Sequence, residues 1–444
     1  MTKTPPPKNP LDIIIVGGSL TALMHGITLH RLGHNVHILE QSPTAAPTSH
    51  MAGIVLSPHV IAFLDRFDRV VDTALGFPCA PPKAHGYPYP SPHAGRLITS
   101  WGALYFRLRA NFGGLSSAYI PQPPDVVCLE GEDVKSARCR AIYEHEKRVI
   151  DVNQSGNSKV SVVVQDLPLR QTRTLLADLV IGADGAHSIV RKSFAGEAAV
   201  SRRYAGYVVW RGVVLESAVS EETRDAIRGT TMHPFSSPEV GQAVLYTVPG
   251  PTGSLTPGTR NINFVWYFKT PASSLPKLMT DKDGHGHRTT VPEGLVNPAI
   301  WSSQVRLGTT LLPRAHAEIL SKIRSPFIHA ITDSVLPACT QASFLDGRVL
   351  LVGDALACLR PHIGYSTSVA ALEAGLVEEL VKGEIGVDEW GRRVTALAYL
   401  HWCRGIWYGH SYLRPGSRWE VMASAVRYWV VLVLYWMWEV SGWW

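Results

Sequence analysis

The stretch from Leu11 to Gln41 constrains the fold more than any other part of the chain. Ile13 to Val16 is an unbroken apolar run rich in β-branched residues. Such a run suits a strand of a parallel sheet, where both faces are covered and no solvent side demands alternation. Gly17 and Gly18 follow as a tight turn. Leu20, Leu23, Met24, Ile27 and Leu32 then recur at helical spacing, Gly33 ends the helix, and "NVHILE" supplies a second strand ending at Glu40. Strand, helix, strand is a βαβ unit, and it commits this part of the chain to an α/β architecture.

The turn after the first strand tells what the unit can hold. A dinucleotide fingerprint reads G-x-G-x-x-G/A; the same frame here gives Gly17, Ser19 and Ala22. Gly17 serves the tight turn, Ala22 is small enough for close helix–strand packing, and Ser19 adds a hydroxyl where backbone N–H groups meet a pyrophosphate at a helix N-terminus. Glu40 lies 23 residues after Gly17. A carboxylate there accepts from both ribose hydroxyls and repels a 2′-phosphate, so the expected ligand is FAD or NAD.

A chain of 444 residues has room for one to three domains, and 45% hydrophobic with 18% charged residues is a globular composition. The formal charge of +6 is mild, and Lys and Arg form no cluster of the kind that grips a duplex, so no nucleic-acid partner is expected. Six cysteines without C-x-x-C spacing read as reduced thiols. The leading "MTKTPPPKNP" has no apolar core of a signal peptide and reads as a short disordered lead-in. Residues 76–98 are too rich in Pro and Gly for a helix. Helical spacing returns at Trp101, Leu104, Tyr105 and Leu108, "RVIDVNQSGNSKVSVVVQD" alternates as a hairpin, and "ADLVIGADG" is another buried strand. Between 201 and 330, "GYVVWRGVVLE", "QAVLYTVPG" and "NINFVWYFK" are aromatic, alternating strands that fit an antiparallel sheet.

Two further motifs complete a set. "ADLVIGADGAHSIVRKSF" carries Asp184-Gly185, Ser188 and Arg191, and "RVLLVGDALACLRPHIG" carries Gly353-Asp354, Pro361 and Gly364. With the fingerprint, in this order, they make residues 11–390 resemble the single-component FAD-dependent aromatic hydroxylases, the para-hydroxybenzoate hydroxylase-like monooxygenases. The resemblance is nearest to the 2,6-dihydroxypyridine and salicylate hydroxylase subgroup, which has fungal members. It implies a Rossmann-like FAD-binding domain (10–75, 99–200 and 331–392) interleaved with an antiparallel-sheet substrate domain (76–98 and 201–330), followed by a C-terminal aromatic helical tail (393–444).

By position, the resemblance assigns noncovalent FAD to Gly17, Gly18, Ser19, Leu20, Glu40, Gln41 and Gly53 at the fingerprint end. Val149, Asp184 and Gly185 follow in the middle, and Gly353, Asp354, Gly364 and Tyr365 at the flavin end. Asp354 would bond the ribityl chain, and Gly364 and Tyr365 would offer N–H groups to the flavin pyrimidine. Trp101 stands where relatives often carry a cofactor-contacting Arg, and Arg107 or Arg109 is the expected substitute. Ser366 and Glu373 replace a frequent Gly and Asp.

The implied reaction uses NADH or NADPH to reduce FAD, and O2 to form a C4a-hydroperoxide whose distal oxygen goes to an electron-rich aromatic or unsaturated small molecule. Oxidation without oxygen insertion on the same site, and flavin binding without turnover, are the alternatives. Tyr207 and Arg211, at i and i+4 on one strand, are expected at flavin or substrate, against a plain sheet role. His362 reads equally as a base or a turn residue, beside Pro361 at the flavin edge. Tyr246 and Trp266 are read as pocket walls or core. His285 and His287 form H-x-H without a third ligand nearby, so no metal is expected, and Cys358 reads as an inert thiol.

Residues 402–444 hold eight of the 13 Trp, and Tyr428 to Trp438 is an 11-residue run without charge. A span needs about 20 residues. The tail therefore reads either as a helix packed on the enzyme or on a second copy, or as a peripheral membrane contact of a cytoplasmic protein, with Arg414, Arg418 and Arg427 toward head groups.

Overall fold

The computed structural model describes residues 10–43, 52–79, 95–126, 139–156, 158–229, 231–334, 341–413 and 418–441. The expected lead-in and most of the Pro/Gly-rich stretch at 76–98 lie outside them. The fingerprint strand Asp12–Val16 is the inner strand the sequence requires, with Ile13 to Val16 all at most 4% exposed. It pairs in parallel with Asn35–Leu39 on one side and Leu179–Gly182 on the other. Val349–Leu351 and Ala141–Glu144 extend the sheet in parallel, and Ser343–Phe344 adds an antiparallel edge.

Three helices sit together on this sheet: Leu20–Arg31, Trp101–Gly113 and Ser366–Val381. In the first, every residue but Thr21 is buried. Each fully buried Leu of this kind stabilises by about 1.5–3 kcal/mol over exposure. The hairpin read from "RVIDVNQSGNSKVSVVVQD" forms as Lys147–Gln154 and Val160–Asp166, and a third strand, Gln171–Ala177, joins it.

The second large sheet is antiparallel, in the order Met232–Ser237, Gly241–Val248, Asn261–Lys269, Arg202–Leu215, Phe327–Ser334, Thr290–Val291. Its two faces bury different residues. Val208, Trp210, Leu245, Phe264 and Trp266 share a core with residues of the helices Pro298–Leu311 and Arg314–Lys322. Tyr207, Val209, Val244, Tyr246, Val265 and Tyr267 form the other face. The strand Phe327–Ser334 runs past the expected boundary at 330 because hydrogen bonding to Arg202–Tyr204 continues that far.

Arg360 closes the gap between the two units. It binds Asp333 of this sheet through Nε at 2.7 Å and Nη2 at 2.5 Å, with both side chains buried. The tail is two helices, Val387–Leu413 and Arg418–Ser441, and the first straddles the expected boundary at 392–393.

Candidate active site

A cavity of about 410 Å³ runs from the fingerprint turn to the antiparallel sheet. Its first half is built from backbone. Ser19, Leu20 and Thr21 open one helix into it, and Gly364, Ser366 and Thr367 open another. Neither helix has a side-chain cap bond, and neither carries an acidic residue in its first turn. Two uncapped N-termini facing one cavity are two sites for negative charge. Gly17 holds φ +93°, and a Cβ there would lie 2.5 Å from the Ala183 carbonyl oxygen, so the turn can be made only by glycine.

Between the helix ends lies the turn carrying Gly353 and Asp354, both on the cavity wall. Burial pushes the Asp354 carboxyl above its ordinary range. Behind it, Glu373 accepts from the Gly353 N–H at 2.7 Å, while its second oxygen is buried without a partner. Burial, with Asp354 adding repulsion, pushes Glu373 up to about 8. Glu40 accepts from Gly18 N at 2.7 Å and from Ser42 N at 2.8 Å, which fixes its carboxylate at the end of the second strand with lone pairs to spare.

The second half of the cavity is apolar. Ile54, Val55, Met232, Val244, Tyr246, Val265, Tyr267 and Leu359 line it, with Pro361 at the junction. One cation enters this wall. Arg211 forms no ion pair among the described residues, its Nε is buried without a hydrogen bond, and its guanidinium lies 5.6 Å from the Phe327 ring centre.

Behind the wall is a sealed polar layer. His362 Nε2 and the Tyr207 hydroxyl are 2.9 Å apart, His362 Nδ1 and Gln242 Oε1 are 3.1 Å apart, and the His362 ring packs on Tyr267 at 4.0 Å. Burial and the nearby Arg360 charge lower His362 to about 3, so its ring is neutral at ordinary pH and a weak base.

Several expected site residues line the cavity: Ser19, Leu20, Gly53, Gly185, Arg211, Tyr246, Gly353, Asp354, Pro361 and Gly364. Others do not. Trp266 faces the opposite side of its strand and donates to the Val240 carbonyl at 2.8 Å, and its neighbour Tyr267 holds the cavity position. Tyr207 and His362 lie one layer back. Arg107 is off the cavity wall, each of its three nitrogens donating once, to Asp68 and to the Val70 and Thr73 carbonyls. Trp101 itself lines the cavity and stacks on Tyr105 at 4.6 Å. Arg109 stacks on Tyr143 at 3.5 Å.

Val149 packs in the core under the three-stranded sheet, the Tyr365 ring lies tilted against His401 at 4.2 Å, and Gln41 is exposed. Asp184 accepts from Ile189 N and Val190 N, and its other oxygen is buried without a partner. Burial, with Asp354 adding repulsion, pushes the Cys358 thiol up to about 12, and Arg202 donates to its Sγ at 3.2 Å. Among the described residues no cluster of three metal ligands exists, and His287 pairs with Asp281 at 2.7 Å. Met232, Val265, Tyr267 and Leu359 are wall residues the sequence reading missed. Only Tyr267 carried a usable signal, as the strand's other aromatic phase.

A backbone cradle with two uncapped helix ends, joined to an apolar chamber under an antiparallel sheet, is the architecture of the FAD-dependent hydroxylases. The FAD binding domain-like family matches residues 204–333. The 2,6-dihydroxypyridine 3-monooxygenase of Paenarthrobacter nicotinovorans is 26% identical over 374 residues, covering 83% of this chain and 82% of that protein. The 3-hydroxybenzoate 6-hydroxylase of Polaromonas naphthalenivorans (strain CJ2) is 28% identical over 46% of this chain and 47% of its own.

Among solved structures, 2,6-dihydroxypyridine-3-hydroxylase from Arthrobacter nicotinovorans superposes with a TM-score of 0.68 at 22% identity, covering 92% of this chain and 91% of its own. A salicylate hydroxylase substrate complex gives 0.61 at 17%, covering 98% and 96%. The chain is an FAD-dependent monooxygenase that resembles the single-component aromatic hydroxylases, the 2,6-dihydroxypyridine and salicylate hydroxylases among them.

The residues fit the cofactor. The fingerprint helix end suits the pyrophosphate, Glu40 the adenosine ribose, Asp354 the ribityl hydroxyls, and the Ser366 helix end the flavin carbonyls.

Proposed function

We propose that the enzyme uses NADH or NADPH and O2 to hydroxylate, or epoxidise, an electron-rich aromatic or unsaturated small molecule. The observation that carries this reading is the guanidinium of Arg211, without an ion pair among the described residues, on the wall of an otherwise apolar chamber next to the cofactor cradle. FAD supplies the redox chemistry when bound, taking electrons from the nicotinamide and delivering activated oxygen.

The protein's own work is positional. Val244, Val265, Met232 and the rings of Tyr246 and Tyr267 exclude water from the reacting edge. Arg211 holds the oxygen of a hydroxylated ring as its anion, the form in which such a ring is most electron-rich. Tyr207 and His362 act through Tyr267, by fixing its ring. The names of the relatives, which are hydroxylases of a dihydroxypyridine and of a hydroxybenzoate, support a hydroxylated aromatic ring as substrate. We infer a cytoplasmic location, supported by the thiols of Cys79, Cys358 and Cys403, which form no disulfide among the described residues.

The test is anaerobic addition of NADH and of NADPH to the yellow protein with a panel of hydroxylated pyridines, benzoates and indoles. Bleaching of the flavin band, then recovery in air with one ¹⁸O atom from ¹⁸O2 in the product, is the expected result. Recovery that yields only hydrogen peroxide with every ring tested would mark an oxidase. A flavin that never bleaches would mark a binding protein.

A further inference from the structure

The tail helix Arg418–Ser441 presents a face that nothing among the described residues covers. Trp419, Met422, Val426, Trp429, Val430, Val433, Leu434, Trp436 and Met437 are each between 45% and 76% exposed. They recur every three or four residues, so they form one continuous stripe. By the areas of such side chains the stripe offers on the order of 1,000 Å² of apolar surface, above what monomeric soluble proteins usually expose. The exposed charges of the helix are Arg418, Glu420 and Glu439, all at its ends. Arg427 is turned inward, 5.0 Å from the Trp402 ring centre, so the stripe carries no charge in between.

The opposite face is firmly held. Tyr428 stacks on Trp407 at 4.9 Å, Ser424 meets His410 at 3.2 Å, and Leu432 and Tyr435 pack with Tyr399, Trp402 and Cys403. The supporting helix Val387–Leu413 is itself rooted in the enzyme. Trp390, Val394 and Ala398 lie in the core of the FAD-binding unit, and Leu413 packs with Tyr207 and Tyr267 behind the substrate chamber.

We propose that this stripe docks on a lipid bilayer and lies in its interface, parallel to the membrane plane. A protein partner is disfavoured by chemistry: an interface of this size carries about one hydrogen bond per 100–200 Å². From Met422 to Met437 the stripe offers only the indole N–H groups of Trp429 and Trp436. Indoles above an aliphatic face are what the boundary between head groups and acyl chains favours. Crossing is disfavoured by geometry. The segment Arg418–Glu439 has 22 residues, with a mean hydropathy of 1.4 over an 18-residue window, and is long enough to span, but spanning would strip the Trp407, Trp402 and His410 contacts from a helix fixed to the enzyme.

The experiment is flotation of the FAD-loaded full chain with neutral phosphatidylcholine vesicles. Binding is expected to persist at high salt, because the stripe itself is uncharged. The double variant Val430→Asp/Leu434→Asp changes only exposed positions; its vesicle partitioning should fall by at least about tenfold with FAD content unchanged. A parent protein that stays at the bottom of the gradient overturns the proposal. So does a variant that floats unchanged but converts a dimer to a monomer in sedimentation, since the stripe would then face a second copy. A C-terminal tag shielded from protease by sealed vesicles would show a crossing helix and overturn the interfacial placement. FAD content is read independently, so failure here leaves the catalytic reading standing.

Discussion

Glu373→Gln should stabilise the enzyme, and by an amount that grows with pH. Glu373 is buried, gives one oxygen to the Gly353 N–H and leaves the other without a partner. Its folded value is near 8, against 4.5 for the free side chain. A carboxyl raised in this way favours the native state fully below about 4.5, where both states are neutral. That advantage is lost as pH rises towards 8, because the unfolded chain releases the proton first. Across this window the slope is about 1.4 kcal/mol per pH unit, so pH 5.5 to 7.5 takes away about 2–3 kcal/mol. The amide of Gln keeps the oxygen that accepts from Gly353 and does not titrate, so the variant lacks this loss. Thermal unfolding of FAD-loaded parent and variant, followed by flavin fluorescence release, should give matching Tm values near pH 5 and a variant a few degrees higher near pH 8. Parallel curves over the whole range would refute the reasoning, because they would mean Glu373 titrates as an ordinary surface carboxylate.

Asp354→Ala should lower FAD occupancy more than Cys358→Ala does. A charge-assisted bond to a ligand hydroxyl is worth about 1.5–3 kcal/mol, whereas the buried thiol only packs; equal FAD content in two folded variants would count against it. Arg360→Met should destabilise by about 3–5 kcal/mol in denaturant titration, because it strands the buried Asp333 carboxylate. The pair Arg360→Met/Asp333→Leu should recover much of that loss. A single variant as stable as the parent would show that the two units are held elsewhere.

The βαβ unit was legible because Ile13 to Val16 leaves no exposed side to a strand, and the cofactor cradle followed from it. The chamber wall was harder. Asn261–Lys269 is buried on both faces, so apolar alternation cannot tell Trp266 from Tyr267, and a shift of one residue exchanges core for pocket. Arg107 reads as a free cation until the fold brings Asp68, 39 residues away, against it. The tail's charge-free run seemed short because Arg427 interrupts it in sequence. In the folded chain that guanidinium lies over Trp402, away from the stripe.

Gly18, between the first two fixed positions of the fingerprint, serves the protein itself. Tyr143 donates its hydroxyl to the Gly18 carbonyl at 2.8 Å, and a Cβ on Gly18 would stand 2.1 Å from that same hydroxyl. The two positions are 125 residues apart, yet the tyrosine at 143 forbids a side chain at 18. A larger residue at 18 needs a smaller one at 143 and, because the Glu40 Cβ would stand at 2.8 Å, a shift at the end of the second strand as well. The fingerprint of this chain is therefore one half of a pairwise constraint. Gly18 stands where the consensus string leaves the residue open, and the edge strand that leans on it fixes the choice.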